Sequence, residues 1–503
     1  MSKKWNLLLC ALTIMLAANR IGFPDTIEQI ESLDPLAPVT FDAVPDLVPI
    51  TGEIRPDDNA LHGGESSFGF LVQMDFIPGT DSFVMVTWSQ QGGWQGPSRA
   101  AVQKYDAQGN LTAGPTSVQD EGEESFGHGF AWDVGAFADG TIVAAGPARF
   151  GLQDIDDVPL SIINISICAT QLFDADLNRV GELHSTFEPE LVPGNDNRDG
   201  DEYLKPRIAV IGNDRYVVSA VMKSAKLQAA VGLTDDGSSP APKVYYRVFE
   251  KDGTPIGPTR WAFPVSDADG GWSANQSDHD IAARPGGGFA MVASGIPLTE
   301  NGDHHAIYFF DNNGDPDGEP FGVVDQDLID NAVENQSIVQ PEISQANGIY
   351  ALGSSIQVFG SNDFALTLFD DDRNIIRSTI NGIGEQDLSA VRESDINQDP
   401  SGNVFMTTRG TYNEGPDADS DMVTVRLITN EGEYFTPSFV PYPPAGYPGS
   451  QRDPVVIASR NLFVVAYLSD APPSDVGGMN TFRIFQNPFP QEPVSQVKDW
   501  SLY

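Results

Sequence analysis

Six charged side chains occupy equivalent places along this 503-residue chain. Asp133, Arg207, Asp280, Glu342, Asp395 and Asp453 each open an alternating apolar run that ends in a tight turn. In the first such run the place falls to Met74 or Gln73. Five acids and one arginine brought together would form a concave, electronegative mouth. Such a mouth attracts cations and basic ligands, and it keeps some carboxyls protonated. It also offers the acid and base groups that proton transfer needs. The plainer reading is a charged, hydrated rim, since acids are abundant throughout the chain.

Other residues carry weaker chemical signals. His279 adjoins Asp280, and Asp303-His304-His305 follows in the next strand, a set of imidazoles and carboxylates that suits a transition metal only with a third fixed ligand. Asp417, Asp419 and Asp421 alternate along one loop, and Asn195, Asn197 and Asp199 along another. Alternate oxygen ligands suit Ca²⁺, which is the one candidate cofactor, although neither loop has the terminal Glu of an EF-hand. Trp94 and Trp272 sit beside glycine pairs in loops, where an indole can stack on a sugar ring or anchor a protein. No Gly-x-Ser-x-Gly elbow, His-Glu-x-x-His helix or paired-cysteine metal motif is present.

The elements that must position these groups follow from the totals and from an internal repeat. Hydrophobic residues make up 40% of the chain, enough for a core. The formal net charge of -43 repels phosphate backbones and speaks against a nucleic-acid partner. Lys3 and Lys4, the apolar run Trp5 to Leu16 and the small pair Ala17-Ala18 predict a secretory signal over residues 1–18. No later run is long enough for a membrane span. Residues 19–66 are acidic and Pro-rich, and they predict a linker or strap. After cleavage Cys168 would be the single cysteine, and its apolar run predicts a buried hydrophobe rather than a nucleophile.

From residue 67 onward one unit recurs: a strand ending in an aromatic, an acidic or Gly/Asn turn, then another strand. Its anchors are Tyr105, Phe173, Phe249, Phe310, Phe369, Ile428 and Phe485, roughly 57 to 76 residues apart. A hairpin precedes each anchor strand, as in Ile208–Val218 around Gly212-Asn213-Asp214. Two hairpins per unit, seven units and few helical signals predict an all-β, seven-bladed β-propeller of four-stranded antiparallel blades over residues 67–503. Small residues near the innermost strands, such as Gly135, Ala209 and Ala282, suit a narrow axis. The run Ile281-Ala282-Ala283-Arg284-Pro285-Gly286-Gly287-Gly288-Phe289-Ala290-Met291-Val292, with Phe310-Asp311-Asn312-Asn313-Gly314 after it, resembles repeats of secreted bacterial propeller proteins. In those a Gly-Gly-Phe-Val-Val strand precedes a Phe-Asp-x-x-Gly hairpin. The resemblance implies the architecture and no particular activity.

The expected function is a secreted, monomeric, non-catalytic binding or surface protein, Ca²⁺ being its candidate stabiliser. Its partner would be an extracellular protein or glycan, held at the channel mouth on the face of the long loops. The alternative is a glycan-cleaving, sialidase-like hydrolase. Arg149, Arg207, Arg409 and Arg452 would then approach the mouth, with Asp280 or Glu342 as acid or base. A third reading is an adhesive or assembly module.

Overall fold

In the computed structural model the residues described are 39–45, 47–56, 67–91, 98–118, 132–148, 167–187, 205–222, 243–263, 278–296, 304–322, 338–358, 361–381, 388–412, 421–442, 451–469 and 479–489. They form seven antiparallel sheets, arranged as the four-stranded blades of a propeller ring. Strands are lettered A to D from the axis outward. The A strands are Ser67–Phe76, Asp133–Ala136, Arg207–Ile211, His279–Ala283, Ile338–Ala346, Leu388–Gln398 and Gln451–Ala458. Each A strand packs on the next, and that of blade 7 packs on that of blade 1, which closes the circle. Among the described residues the one helical element is a single 3-10 turn at Phe41–Ala43, and no helix is long and apolar enough to cross a membrane.

Local chemistry explains the hairpins. At the C–D turns an aspartate side chain does the work of a backbone acceptor. Asp106 Oδ1 accepts the Gln108 and Asn110 N–H groups, each at 2.9 Å, and the Asn110 amide returns a bond to Asp106 Oδ2. Asp174 with Asn178 and Asp370 with Asn374 repeat the device. Bonds from the paired asparagines hold these three exposed carboxyls below the usual aspartate range. Gly288 answers a different demand. Its φ is +84°, and a Cβ there would lie 2.1 Å from the Phe310 carbonyl oxygen, so only glycine fits without strain.

The anchors explain the core. Each pairs with a strand B residue, and five of these pairs are stacked aromatics, such as Phe289–Phe310 at 4.6 Å and Tyr216–Phe249 at 5.0 Å. Stacked rings add about 0.5–1.5 kcal/mol each beyond their burial. The clusters they seed lie between blades, joining residues of neighbouring sheets, and so hold the ring together.

The segment before the repeats forms part of two blades. Val39–Thr40 adds a parallel strand outside Phe439–Val440 of blade 6. Pro49 and Ile54 bridge to Phe485 and Phe482, supplying the outer edge of blade 7. Blade 1, the nearest in sequence, takes no strand from it among the described residues, although Ile54 packs on the core that blades 7 and 1 share.

Candidate functional site

Strand register fixes which side chains face the axis. In every blade the strand B partner of the anchor sets a common origin. The residue paired three positions further along strand B is Gln73, Asp133, Arg207, Asp280, Glu342, Asp395 and Val455 in turn. All but Val455 are polar, and all seven line one central cavity of 470 Å³. Because strand side chains alternate faces, the residues two further on point the same way and make a second tier. That tier contains Asp75 and Asn397.

The structure thus brings together five of the six expected residues. Asp453 is not a member. It has a φ of +50°, and a break in register between Arg452 and Val455 leaves Val455 in the seventh position. Gln73, not Met74, holds the place in blade 1. His279 faces away from the axis. Its Nε2 is 2.8 Å from Ser219 Oγ between blades 3 and 4, and burial holds the ring well below the usual histidine range. Trp94 and Trp272 lie outside the described residues, as do most of the long connections on that face.

Most of the channel acids bind the neighbouring blade. Asp133 Oδ2 accepts the Ile208 N–H at 2.6 Å, Asp280 Oδ2 accepts Ile343 at 2.8 Å, and Asp395 Oδ2 accepts Val456 at 2.6 Å. In the second tier Asp75 Oδ2 takes the Ala136 N–H at 2.8 Å and Asn397 Oδ1 takes that of Ala458 at 3.1 Å. Each bond joins one A strand to the next, one residue on. An unpaired N–H buried in the channel wall would cost about 1–3 kcal/mol, so these side chains are structural in the first instance.

Arg207 and Glu342 are different. Arg207 Nε lies 3.2 Å from Asp280 Oδ1, and its Nη2 lies 3.4 Å from Glu342 Oε1. Burial works against the guanidinium charge, but Glu342, Asp280, Asp133 and Asp395 together raise its hold on the proton. Glu342 is raised well above the usual range, by burial first and by repulsion from Asp280 second. Asp280 is raised as well, by burial first and against the pull of Arg207, so both acids of the trio hold their protons more tightly than usual. Burial pushes Asp133 up to about 6 against the pull of Arg207. Burial likewise pushes Asp75 and Asp395 up to about 7, each opposed by the N–H it accepts. The cavity therefore gathers carboxyls of raised proton affinity around a single arginine.

The four arginines of the sialidase-like reading do not converge among the described residues. Arg409 Nη2 binds Asp421 Oδ2 at 2.6 Å within blade 6 and does not line the cavity. Arg149 and the Arg452 side chain lie outside the description. Asp421 is the one member of the expected Ca²⁺ loops that is described. Asn195, Asn197, Asp199, Asp417 and Asp419 are not, nor are Asp303 and the side chains of His304 and His305. Among the described residues no group of three or more His, Cys, Asp or Glu side chains is placed to hold a metal ion. Cys168 is buried, and desolvation pushes its thiol up to about 12.

No protein-family model matches the chain, and no curated protein matches it in sequence. Solved structures do match in fold. One is the polysaccharide lyase Uly1, at 12% identity and a TM-score of 0.48, covering 83% of this chain and 90% of that one. Another is an α-L-arabinofuranosidase of Fusarium graminearum with an iminosugar inhibitor, at 10% identity and 0.42, covering 76% and 97%. A third is the Trypanosoma rangeli sialidase with the inhibitor DANA, at 10% and 0.40, covering 75% and 57%. The three named chains are a polysaccharide lyase, an arabinofuranosidase and a sialidase, and beside them the expectation of a non-catalytic binding protein is withdrawn. At such identities the likeness describes fold, so an activity has to be argued from the residues.

Proposed function

We propose that the protein is a glycan-cleaving hydrolase working at the channel mouth. The observation that carries this reading is the trio of Asp280, Arg207 and Glu342 in one open cavity with Asp133, where burial and the charge of Asp280 raise the Glu342 carboxyl well above its usual range, as a general acid requires. Glycoside hydrolysis needs one carboxylic acid and one carboxylate on opposite sides of the scissile bond. Asp280 is too near Glu342 to be the second group. Asp133 stands three blades away around the ring, across the channel, and is ionised above about pH 6. Glu342 gives its proton to the glycosidic oxygen as the C1–O bond breaks. Asp133 takes the proton of the water that adds to C1. Arg207, within ion-pair distance of both Asp280 and Glu342, positions the Glu342 carboxyl. By the expected leader, the enzyme works outside the cytoplasm.

The test is release of reducing ends from a panel of polysaccharides by the full chain. Glu342→Gln keeps the shape and loses the proton, so the rate falls by about 10²–10⁴-fold. The rate of the unaltered protein rises as pH passes about 6, where Asp133 ionises, and falls at higher pH as Glu342 loses its proton. Failure of the unaltered protein to cleave any glycan in the panel ends this reading.

A further inference from the structure

We propose that the glycan cleaved at this site carries free amino groups, recognised as ammonium ions at the channel mouth. The inference rests on the glycan-cleaving reading above and names its substrate class. Three observations on the described residues count against an anionic sugar. First, Arg207 is the one cationic side chain among the described residues lining the cavity, and Asp280 and Glu342 already occupy its guanidinium. No unengaged cation is left among them to meet a substrate carboxylate or sulfate.

Second, the backbone N–H groups that would otherwise bind an anion are spent. Those of Ile208, Ile343 and Val456 at the mouth, and of Ala136 and Ala458 below it, already donate to side chains of the preceding blade. Third, the whole chain carries a net charge of -43, and that field repels polyanions before they arrive.

A neutral sugar meets no such objection, but it leaves the acids as they are. Five carboxyls share the cavity with one guanidinium. An ammonium group entering between them is attracted by every one that is ionised and favours ionisation of the rest. It therefore expels protons as it binds. It also draws Glu342 down toward working pH, where a general acid is most effective.

Isothermal titration calorimetry of the full chain with three hexasaccharides tests this, using glucosamine, N-acetylglucosamine and galacturonate oligomers at about pH 6. Buffers of different ionisation enthalpy reveal proton release. The glucosamine oligomer is expected to bind at least about tenfold tighter than its acetylated form. It releases protons, and its affinity weakens as salt rises from about 50 to about 500 mM. Asp395→Asn reduces the proton count for the amino oligomer and leaves the acetylated oligomer's unchanged. Equal or tighter binding of the neutral or acidic oligomer overturns the inference, as does cleavage of a neutral or acidic glycan without any binding of the amino one. Those results leave the hydrolase reading standing, whereas absence of cleavage across the polysaccharide panel removes the reading beneath it.

Discussion

Replacing Asp75 by asparagine is expected to stabilise the ring at alkaline pH. Asp75 binds its proton more tightly when folded, at about 7, than in the unfolded chain, at about 4. Its contribution to stability is therefore complete below about pH 4 and is lost as pH rises through about 7. Three pH units correspond to about 4 kcal/mol. Asp75 still meets water in the channel, so about half of that, near 2 kcal/mol, is the expected gain from the amide at pH 8. At pH 5 most of the folded Asp75 is already neutral, and the gain falls below about 1 kcal/mol. The amide keeps an oxygen for the Ala136 N–H, as Asn397 does for Ala458 at the equivalent place in blade 6. The assay is the urea midpoint of both proteins at the two pH values. A gain of the same size at pH 5 and pH 8, or a larger loss at pH 8, would show that burial of this carboxyl is not what raises its pKa.

Two further outcomes follow from contacts in the ring. Gly288→Ala forces a Cβ into the Phe310 carbonyl at a φ of +84°, and a loss of about 2–4 kcal/mol in urea unfolding is expected; a loss under about 0.5 kcal/mol would mean the turn rearranges freely. Arg483 stacks on Phe41 at 4.1 Å and donates to the carbonyls of Thr51 and Pro441. Arg483→Met is expected to cost about 2–4 kcal/mol and to expose residues 39–54 to protease before the blades, whereas simultaneous cleavage of both would count against a fastening role.

The repeat was readable because its determinants are local. Turn residues and anchor aromatics recur in a fixed order, and every anchor pairs as its position requires. The channel was only partly readable. Asp133, Arg207, Asp280, Glu342 and Asp395 each open a run, so composition and position coincide. Asp75 does not open its run. It lies two residues beyond Gln73 on the same face, but the sequence left Met74 and Gln73 as equal candidates for that face, and cross-strand pairing decides between them. Asp453 failed for the converse reason, since a bulge after Arg452 shifts the register by an amount that spacing alone does not encode. The division of labour among the acids was also hidden. Five look alike in sequence, yet three at the mouth and one below it are tied to backbone N–H groups, whereas Glu342 is paired with Arg207. The expected binding role rested on missing motifs, but a proton-transfer site built from separate blades leaves no contiguous motif.

The strap has a consequence for the order of assembly. Its partners in blade 7 are the last strands to be synthesised; Glu53 accepts a bond from Tyr467, 414 residues further on. The strap thus waits for blade 7, and six sheets can stack before the circle is locked. Loop closure over such a span is slow and costs entropy. A chain halted before blade 7 could still dock Val39–Thr40 on blade 6, but the partners of Pro49 and Ile54 would be missing and its terminal sheets bare, open to pairing with another unfinished copy. Fastening the outer edge with a distant segment makes completeness of the polypeptide a condition for a sealed molecule.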